Sequence, residues 1–229
     1  MIKVKNLTDK GEIYLYGIIV DDTDANWLRR DDDGVIGYQY PADVKAQLDA
    51  LKGKPLDVHI ASDGGNVAAG VAIYNMLVNH DAPVTVYIDS WAASIASVIA
   101  FAGNKIVMPS NSFLMVHNPQ GGAFGESDYL RSVADYLDKL RNMIADTYTK
   151  RAKDADVEKI KAYMDAETWW TAKEVSELFN DVELTDSNDI EAVAQYRSGY
   201  KTAPTSLTVK DNTDVKNKII KSLQEAYKL

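Results

Sequence analysis

Apolar strands alternating with helical segments, joined by short turns, predict an α/β fold with a mostly parallel sheet. Three observations carry that prediction. Runs rich in β-branched and aromatic residues recur at Glu12 to Val20, Leu56 to Ile60, Val84 to Ile88 and Lys105 to Met108. Two of these runs lead through a small-residue turn into an apolar helix, which is the order of a βα unit. The intervening connections are short, as expected where each helix packs back on one sheet. Ligands of such sheets bind beyond the carboxyl ends of the strands. The turn at Gly64-Gly65 and the turn at Ser94 should therefore share an edge.

Composition narrows the class. The 229 residues are 46% hydrophobic and 26% charged, which suits a globular chain. That length allows one domain over residues 1–188, followed by a polar extension over 189–229 that is partly helical or disordered. A formal net charge of -9 gives nucleic acid binding no electrostatic support. With no cysteine, disulfides, thiol nucleophiles and thiolate metal sites are all excluded, and a reducing compartment is compatible. The first residues, MIKVKNLTDKGEIYLYG, lack the basic and apolar regions of a signal peptide. The longest apolar run, Trp91 to Ala102, is too short and serine-rich to span a bilayer. A soluble cytoplasmic protein with no membrane partner is expected.

In chain order, Glu12 to Val20 is the first strand. Asp21 to Gly37 reads as an acidic loop, and its Asp31-Asp32-Asp33-Gly34 run lacks the remaining spacing of a calcium loop. Pro41 starts a helix over Ala42 to Leu51 that Gly53 stops. Strand Leu56 to Ile60 precedes the turn Ser62-Asp63-Gly64-Gly65-Asn66 and a helix from Val67 to Asn79. Paired glycines let backbone N–H groups approach a ligand. The segment is neither a dinucleotide fingerprint nor a phosphate loop, because G-x-G-x-x-G and G-K-[ST] are both missing. After Val84 to Ile88 comes a turn with Ser90, Ser94 and Ser97, then an apolar helix to about Ala102. Strand Lys105 to Met108 and Leu114-Met115-Val116 lead into His117. A glycine-rich strip, Gln120 to Gly125, opens a long amphipathic helix over Ser127 to Arg151. Its apolar positions are Leu130, Val133, Ala134, Leu137, Leu140, Ile144 and Tyr148. Shorter helices follow at Val157 to Met164 and Thr171 to Leu178, then a strand at Asp181 to Leu184. A last helix is expected at Asn217 to Tyr227.

A serine opening a buried helix, with a histidine after the next strands, outlines an activated nucleophile and its base. Helix N-termini also favour developing negative charge. Of the three histidines, His59 sits inside a strand and reads as a packed residue. His80 sits at a helix end beside Asp81, where an imidazole commonly satisfies carbonyls. His117 ends an apolar run and meets the glycine strip, so it is the candidate base. Spacing does not separate Ser90, Ser94 and Ser97. No G-x-S-x-G elbow is present, which disfavours an α/β-hydrolase.

Four ordered segments resemble the signatures of ClpP-type serine peptidases. They are Ser62-Asp63-Gly64-Gly65, Gly70-Val71-Ala72-Ile73-Tyr74, Ala92-Ala93-Ser94-Ile95-Ala96 and Leu114-Met115-Val116-His117-Asn118-Pro119. The resemblance covers about residues 10 to 185. It implies the ClpP/crotonase-like fold of repeated ββα (βαβ) units with a protruding helical handle, here the long helix from Ser127. It implies Ser94 as nucleophile, His117 as general base, and an oxyanion hole from the N–H groups of Gly65 and Ile95. The third member is Glu167 by motif position, with Asp165 as the alternative and a Ser-His dyad as the fallback. Asp63 stands where the family has proline. No metal or cofactor is implied; the partners implied are a polypeptide substrate and further copies of the chain in a ring.

Within the family, the opening Leu15-Tyr16-Gly17 and the segment Glu167-Thr168-Trp169 resemble phage head-maturation proteases, which cleave scaffold or capsid protein in the prohead. The early first strand and the polar C-terminal extension point the same way, and speak against an unfoldase partner. The competing expectations are a housekeeping-like degradative peptidase, a crotonase-fold acyl-CoA enzyme, and an inactive ring-forming capsid assembly protein.

Overall fold

The structure is a computed structural model and describes residues 4–28 and 37–186. The expected extension over 189–229 and its helix at Asn217 to Tyr227 lie outside the described residues. Strands β1 (Val4–Asn6), β2 (Gly11–Ile19), β4 (Leu56–Gly65), β5 (Val84–Ala93), β6 (Lys105–Pro109) and β9 (Val182–Thr185) form the main path of one sheet, in the order β1-β2-β4-β5-β6-β9. All neighbours on that path are parallel except the β1–β2 pair. Strand β3 (Tyr38–Gln39) adds to β2, and β7 (Phe113–Val116) and β8 (Thr168–Thr171) branch off β5. The helices are α1 (Asp22–Leu28), α2 (Pro41–Ala50), α3 (Val67–Val78), α4 (Ile95–Ala100), α5 (Ser127–Thr149), α6 (Val157–Asp165) and α7 (Ala172–Leu178). This is the mixed α/β architecture with a mostly parallel sheet expected from the sequence.

The sheet is one-sided. Ile13, Leu15, Val58, Ile60, Val86 and Ile88 are buried on the face that meets α3 and α4. The intervening residues Glu12, Tyr14, Asp57, His59, Thr85 and Tyr87 are only partly buried. Such alternation marks a sheet with one covered face, whereas a parallel sheet buried on both sides gives continuous apolar runs. His59 lies flat between Tyr14 and Tyr87, at centroid distances of 4.6 and 4.9 Å. Its Nδ1 sits 3.0 Å from the buried Asp89 carboxylate. It is a packed strand residue, as its position suggested.

Several elements differ from expectation for identifiable reasons. The acidic stretch after Val20 is not all loop: Asp22–Leu28 is helix α1. The Asp21 carboxylate accepts from the N–H groups of Thr23 and Asp24, and Asp22 and Asp24 occupy its first turn, where acidic groups suit the helix dipole. Strand β4 runs on through the expected turn to Gly65, and β5 runs on past Ile88 to Ala93. Strand β8 holds the Trp169-Trp170 pair and ends at Thr171, whose side chain caps α7 in a capping box with Glu174. In α5, Ile144, Ala145 and Tyr148 are buried, while Leu130, Tyr129 and Tyr136 are exposed. The helix periodicity is real, but only its C-terminal turns reach the core of this chain.

Candidate active site

Strand β5 is shared between two partners, and that division builds the site. Its first half pairs with β6 (Thr85 to Tyr87 against Lys105 to Val107), and its last three residues, Trp91, Ala92 and Ala93, pair in parallel with Phe113, Leu114 and Met115 of β7. Strand β7 then pairs antiparallel with β8, ending at Val116 opposite Thr168. One step further, the β5–β7 register sets the residue after Ala93 opposite Val116, and the β7–β8 register sets the residue after Val116 opposite the residue before Thr168, so the three lie at one end of the ladder. These are Ser94, His117 and Glu167.

The side chains follow the backbone. His117 Nε2 lies 2.7 Å from Ser94 Oγ. With the imidazole protonated at Nδ1, the serine hydroxyl donates to Nε2. Ser94 sits at φ 56, ψ -131, in a region that residues with a side chain rarely occupy. Its N–H donates to Met115 O at 3.0 Å, tying the sharp strand-to-helix turn to β7. Burial holds the His117 imidazole below its ordinary pKa, and the nearby Glu167 carboxylate opposes that shift. Glu167 itself adopts a positive φ of 51°. An imidazole kept neutral beside a serine hydroxyl can accept a proton at neutral pH.

The glycine turn lies against the serine. A Cβ on Gly64 would come within 2.7 Å of Ala93 O and Ser94 Cβ, and one on Gly65 within 2.0 Å of Ile19 O. Both residues have positive φ (90° and 146°), so glycine is required by conformation and by space. Ser62 Oγ donates to Gly17 O and accepts from Gly64 N–H, bracing the turn from inside. Trp91 donates its indole N–H to Asp63 Oδ1 at 2.7 Å, joining the ends of β4 and β5. Gly70 lets α3 approach α4 at Ile95: a Cβ there would lie 2.2 Å from Ile95 Cγ1.

The other candidates fall elsewhere. Ser97 is fully buried, donates to Ser94 O and shares a 2.7 Å hydrogen bond with the Tyr148 hydroxyl. Ser90 Oγ is buried with no hydrogen-bond partner among the described residues. His80 Nε2 meets Lys54 O at 2.8 Å, a carbonyl outside its own helix. Asp165 is bonded to Asn118 and Arg141. Sequence reading gives Arg141, Asn118 and Trp91 no role in the site, since an isolated residue on a helix, loop or strand carries no periodic signal. Among the described residues no three His, Asp or Glu side chains gather as a metal site would require, and no helix is long and apolar enough to cross a membrane.

Comparison with known proteins agrees with this architecture. The family model for Clp protease matches residues 36–178. The ATP-dependent Clp protease proteolytic subunit of Ligilactobacillus salivarius is 35% identical over 124 residues, covering 53% of this chain and 62% of that protein. Proteolytic subunit 2 of Gluconobacter oxydans is 33% identical over 139 residues, covering 54% and 62%. The chain thus spans less than two thirds of the length of these curated relatives. Among solved structures, a mutant of ClpP1 from Listeria monocytogenes superposes with a TM-score of 0.59, covering 76% of this chain and 91% of that one. At 22% identity that likeness speaks for the fold alone. With the matched segment spanning the glycine turn, Ser94, His117 and Glu167, the chain belongs to the Clp protease family.

Proposed function

We propose that this chain is a serine endopeptidase in which Ser94 is the nucleophile and His117 the general base. The 2.7 Å contact between Ser94 Oγ and His117 Nε2 carries the reading. As Oγ attacks a peptide carbonyl carbon, its proton passes to Nε2 and the carbonyl oxygen takes the negative charge. Collapse of the tetrahedral intermediate breaks the C–N bond, and His117 returns the proton to the leaving amine. Water, deprotonated by the same imidazole, then releases the acyl group.

Glu167 stabilises the imidazolium in this scheme. The support is its electrostatic effect on His117 and its place one step beyond the end of the β7–β8 ladder. Asp165 is the weaker choice, because its carboxylate is engaged by Arg141 and Asn118. Backbone N–H groups of Gly65 and Ile95 receive the oxyanion, and each such donor contributes on the order of 10²–10³ in rate. Residues 1–188 form the peptidase domain and 189–229 its polar extension.

The biological setting we propose is phage head maturation, with scaffold or capsid protein as substrate in the host cytoplasm or prohead. The segments Glu167-Thr168-Trp169 and Leu15-Tyr16-Gly17 favour it. Self-association into rings goes with this reading, and the uncovered apolar side chains of α5 (Tyr129, Leu130, Tyr136) offer a surface for it.

A fluorophosphonate probe, which phosphonylates activated serines, tests the chemistry. Wild-type protein should label at a single residue, and Ser94→Ala and His117→Ala should not label. Labelling that survives Ser94→Ala would remove the mechanism. Co-expression with the scaffold or major capsid protein tests the setting: cleavage should depend on both Ser94 and His117.

A further inference from the structure

The strand ladder that brings the site together stops one residue short of it. The last paired residues of β7 and β8 are Val116 and Thr168, so His117 and Glu167 lie beyond the sheet's register. What lies just past them is a three-sided polar bracket. Asn118, next to His117, donates from Nδ2 to Asp165 Oδ1 at 2.8 Å. Arg141 Nη2 donates to both oxygens of Asp165, at 2.8 and 2.9 Å, and its Nε donates to Asn118 Oδ1 at 3.0 Å. Each of the three side chains contacts the other two. They come from three different places: the chain leaving β7, the middle of α5 and the last residue of α6.

Stability is a poor explanation for this arrangement. The Asp165 side chain is 55% exposed, and ion pairs that open to solvent contribute little to folding. Geometry is a better one. Asp165 precedes Glu167 by two residues, and the chain between them turns through a positive φ at Glu167. Asn118 is followed by Pro119 and the glycine strip, which is exposed and lies in neither helix nor strand. A planar guanidinium bonded to a carboxylate and an amide fixes direction as well as distance. It thereby holds the entry to Glu167 and the exit from His117 at a constant separation.

We propose that Asp165 is a positioning residue, which with Arg141 and Asn118 sets the placement of His117 and Glu167 about Ser94. The inference rests on the peptidase reading above and adds to it the source of the dyad's alignment. It separates the two carboxylates by role: Glu167 acts on the imidazole, and Asp165 acts on the chain that carries both.

The test is the rate of fluorophosphonate labelling of the full chain against probe concentration, for wild type, Asp165→Asn, Arg141→Gln and the double variant. Each single change should lower the limiting rate about 10- to 100-fold, the scale of a roughly 1 Å misplacement, with half-saturating probe concentration unchanged. The double variant should be no slower than the slower single variant, because both break one bracket. Labelling should still reach the wild-type stoichiometry, since the fold persists, and Asp165→Glu should recover part of the rate. Limiting rates within twofold of wild type would overturn the proposal. So would a lower final stoichiometry at an unchanged limiting rate, which reports lost folded protein. Wild-type chain that never labels would overturn the peptidase reading itself, and the bracket's role with it.

Discussion

The indole N–H of Trp91 points at the Asp63 carboxylate, 2.7 Å away, where strands β4 and β5 end side by side. One residue on from Asp63 the glycine turn begins, and three on from Trp91 stands Ser94. The contact therefore ties the turn to the strand that delivers the serine. A hydrogen bond to a charged acceptor contributes roughly 1.5–3 kcal/mol. Trp91→Phe should lower unfolding free energy by about that much, and Asp63→Asn, which keeps an acceptor oxygen, should cost less. Urea denaturation of both variants checks the order; equal losses would mean that the charge, not the bond, matters.

The pH response follows from His117. Burial places its folded-state pKa below the ordinary 6.5, so the unfolded chain takes up the proton first as pH falls. Stability tied to this group is complete above pH 6.5 and declines below it, levelling off once the folded imidazole also protonates. The neutral imidazole is present at pH 7, so, with His117 as the proposed base, the acid limb of serine labelling should fall below pH 6.5. Glu167→Gln removes the charge that raises the imidazole pKa. It should move that limb to still lower pH while lowering the maximum rate. A limb that shifts upward would contradict the coupling.

Ser97 and Tyr148 make one buried unit behind Ser94. Ser97 Oγ donates to Ser94 O, and the two hydroxyls are 2.7 Å apart. Ser97→Ala and Tyr148→Phe should each cost about 1–3 kcal/mol. Because they share a hydrogen bond, the double variant should cost less than their sum by at least about 0.5 kcal/mol. A thermal or urea double-mutant cycle reads this directly, and strict additivity would show that the shared bond is of no consequence.

Gly70 tests the helix seam. Alanine is the better helix former by about 1 kcal/mol, yet its Cβ would lie 2.2 Å from Ile95 Cγ1. Overpacking of this kind costs about 1–3 kcal/mol. Gly70→Ala should therefore destabilise the fold, and should also slow Ser94 labelling because Ile95 is the next residue. An unchanged urea midpoint would mean that α3 and α4 have slack to separate.

Much of this fold is legible in the sequence, and the illegible part has physical causes. β-branched runs marked β2, β4, β5 and β6 because strand burial leaves a period of two. Ala92 and Ala93 read as turn residues because small side chains have weak strand preference, yet they extend β5 to the edge of Ser94. That extension, and the change of partner from β6 to β7, is a long-range property that no local window contains. Asp22–Leu28 was hidden by its acidic composition. The periodicity of α5 announced an apolar stripe without saying how much of it this chain covers. Asp165 and Glu167 are both carboxylates two residues apart, and only the positive φ between helix and strand assigns them to different neighbours.

Ser94 holds a backbone posture, φ 56 and ψ -131, that glycine adopts freely and serine does not. Relieving that posture with Ser94→Gly returns about 1–3 kcal/mol of conformational tension against roughly 0.5–1 kcal/mol for glycine's looser unfolded chain. Ser94→Gly should thus melt no lower than wild type, and its Tm should match or exceed that of Ser94→Ala. In this chain the hydroxyl is kept at odds with the comfort of its own backbone.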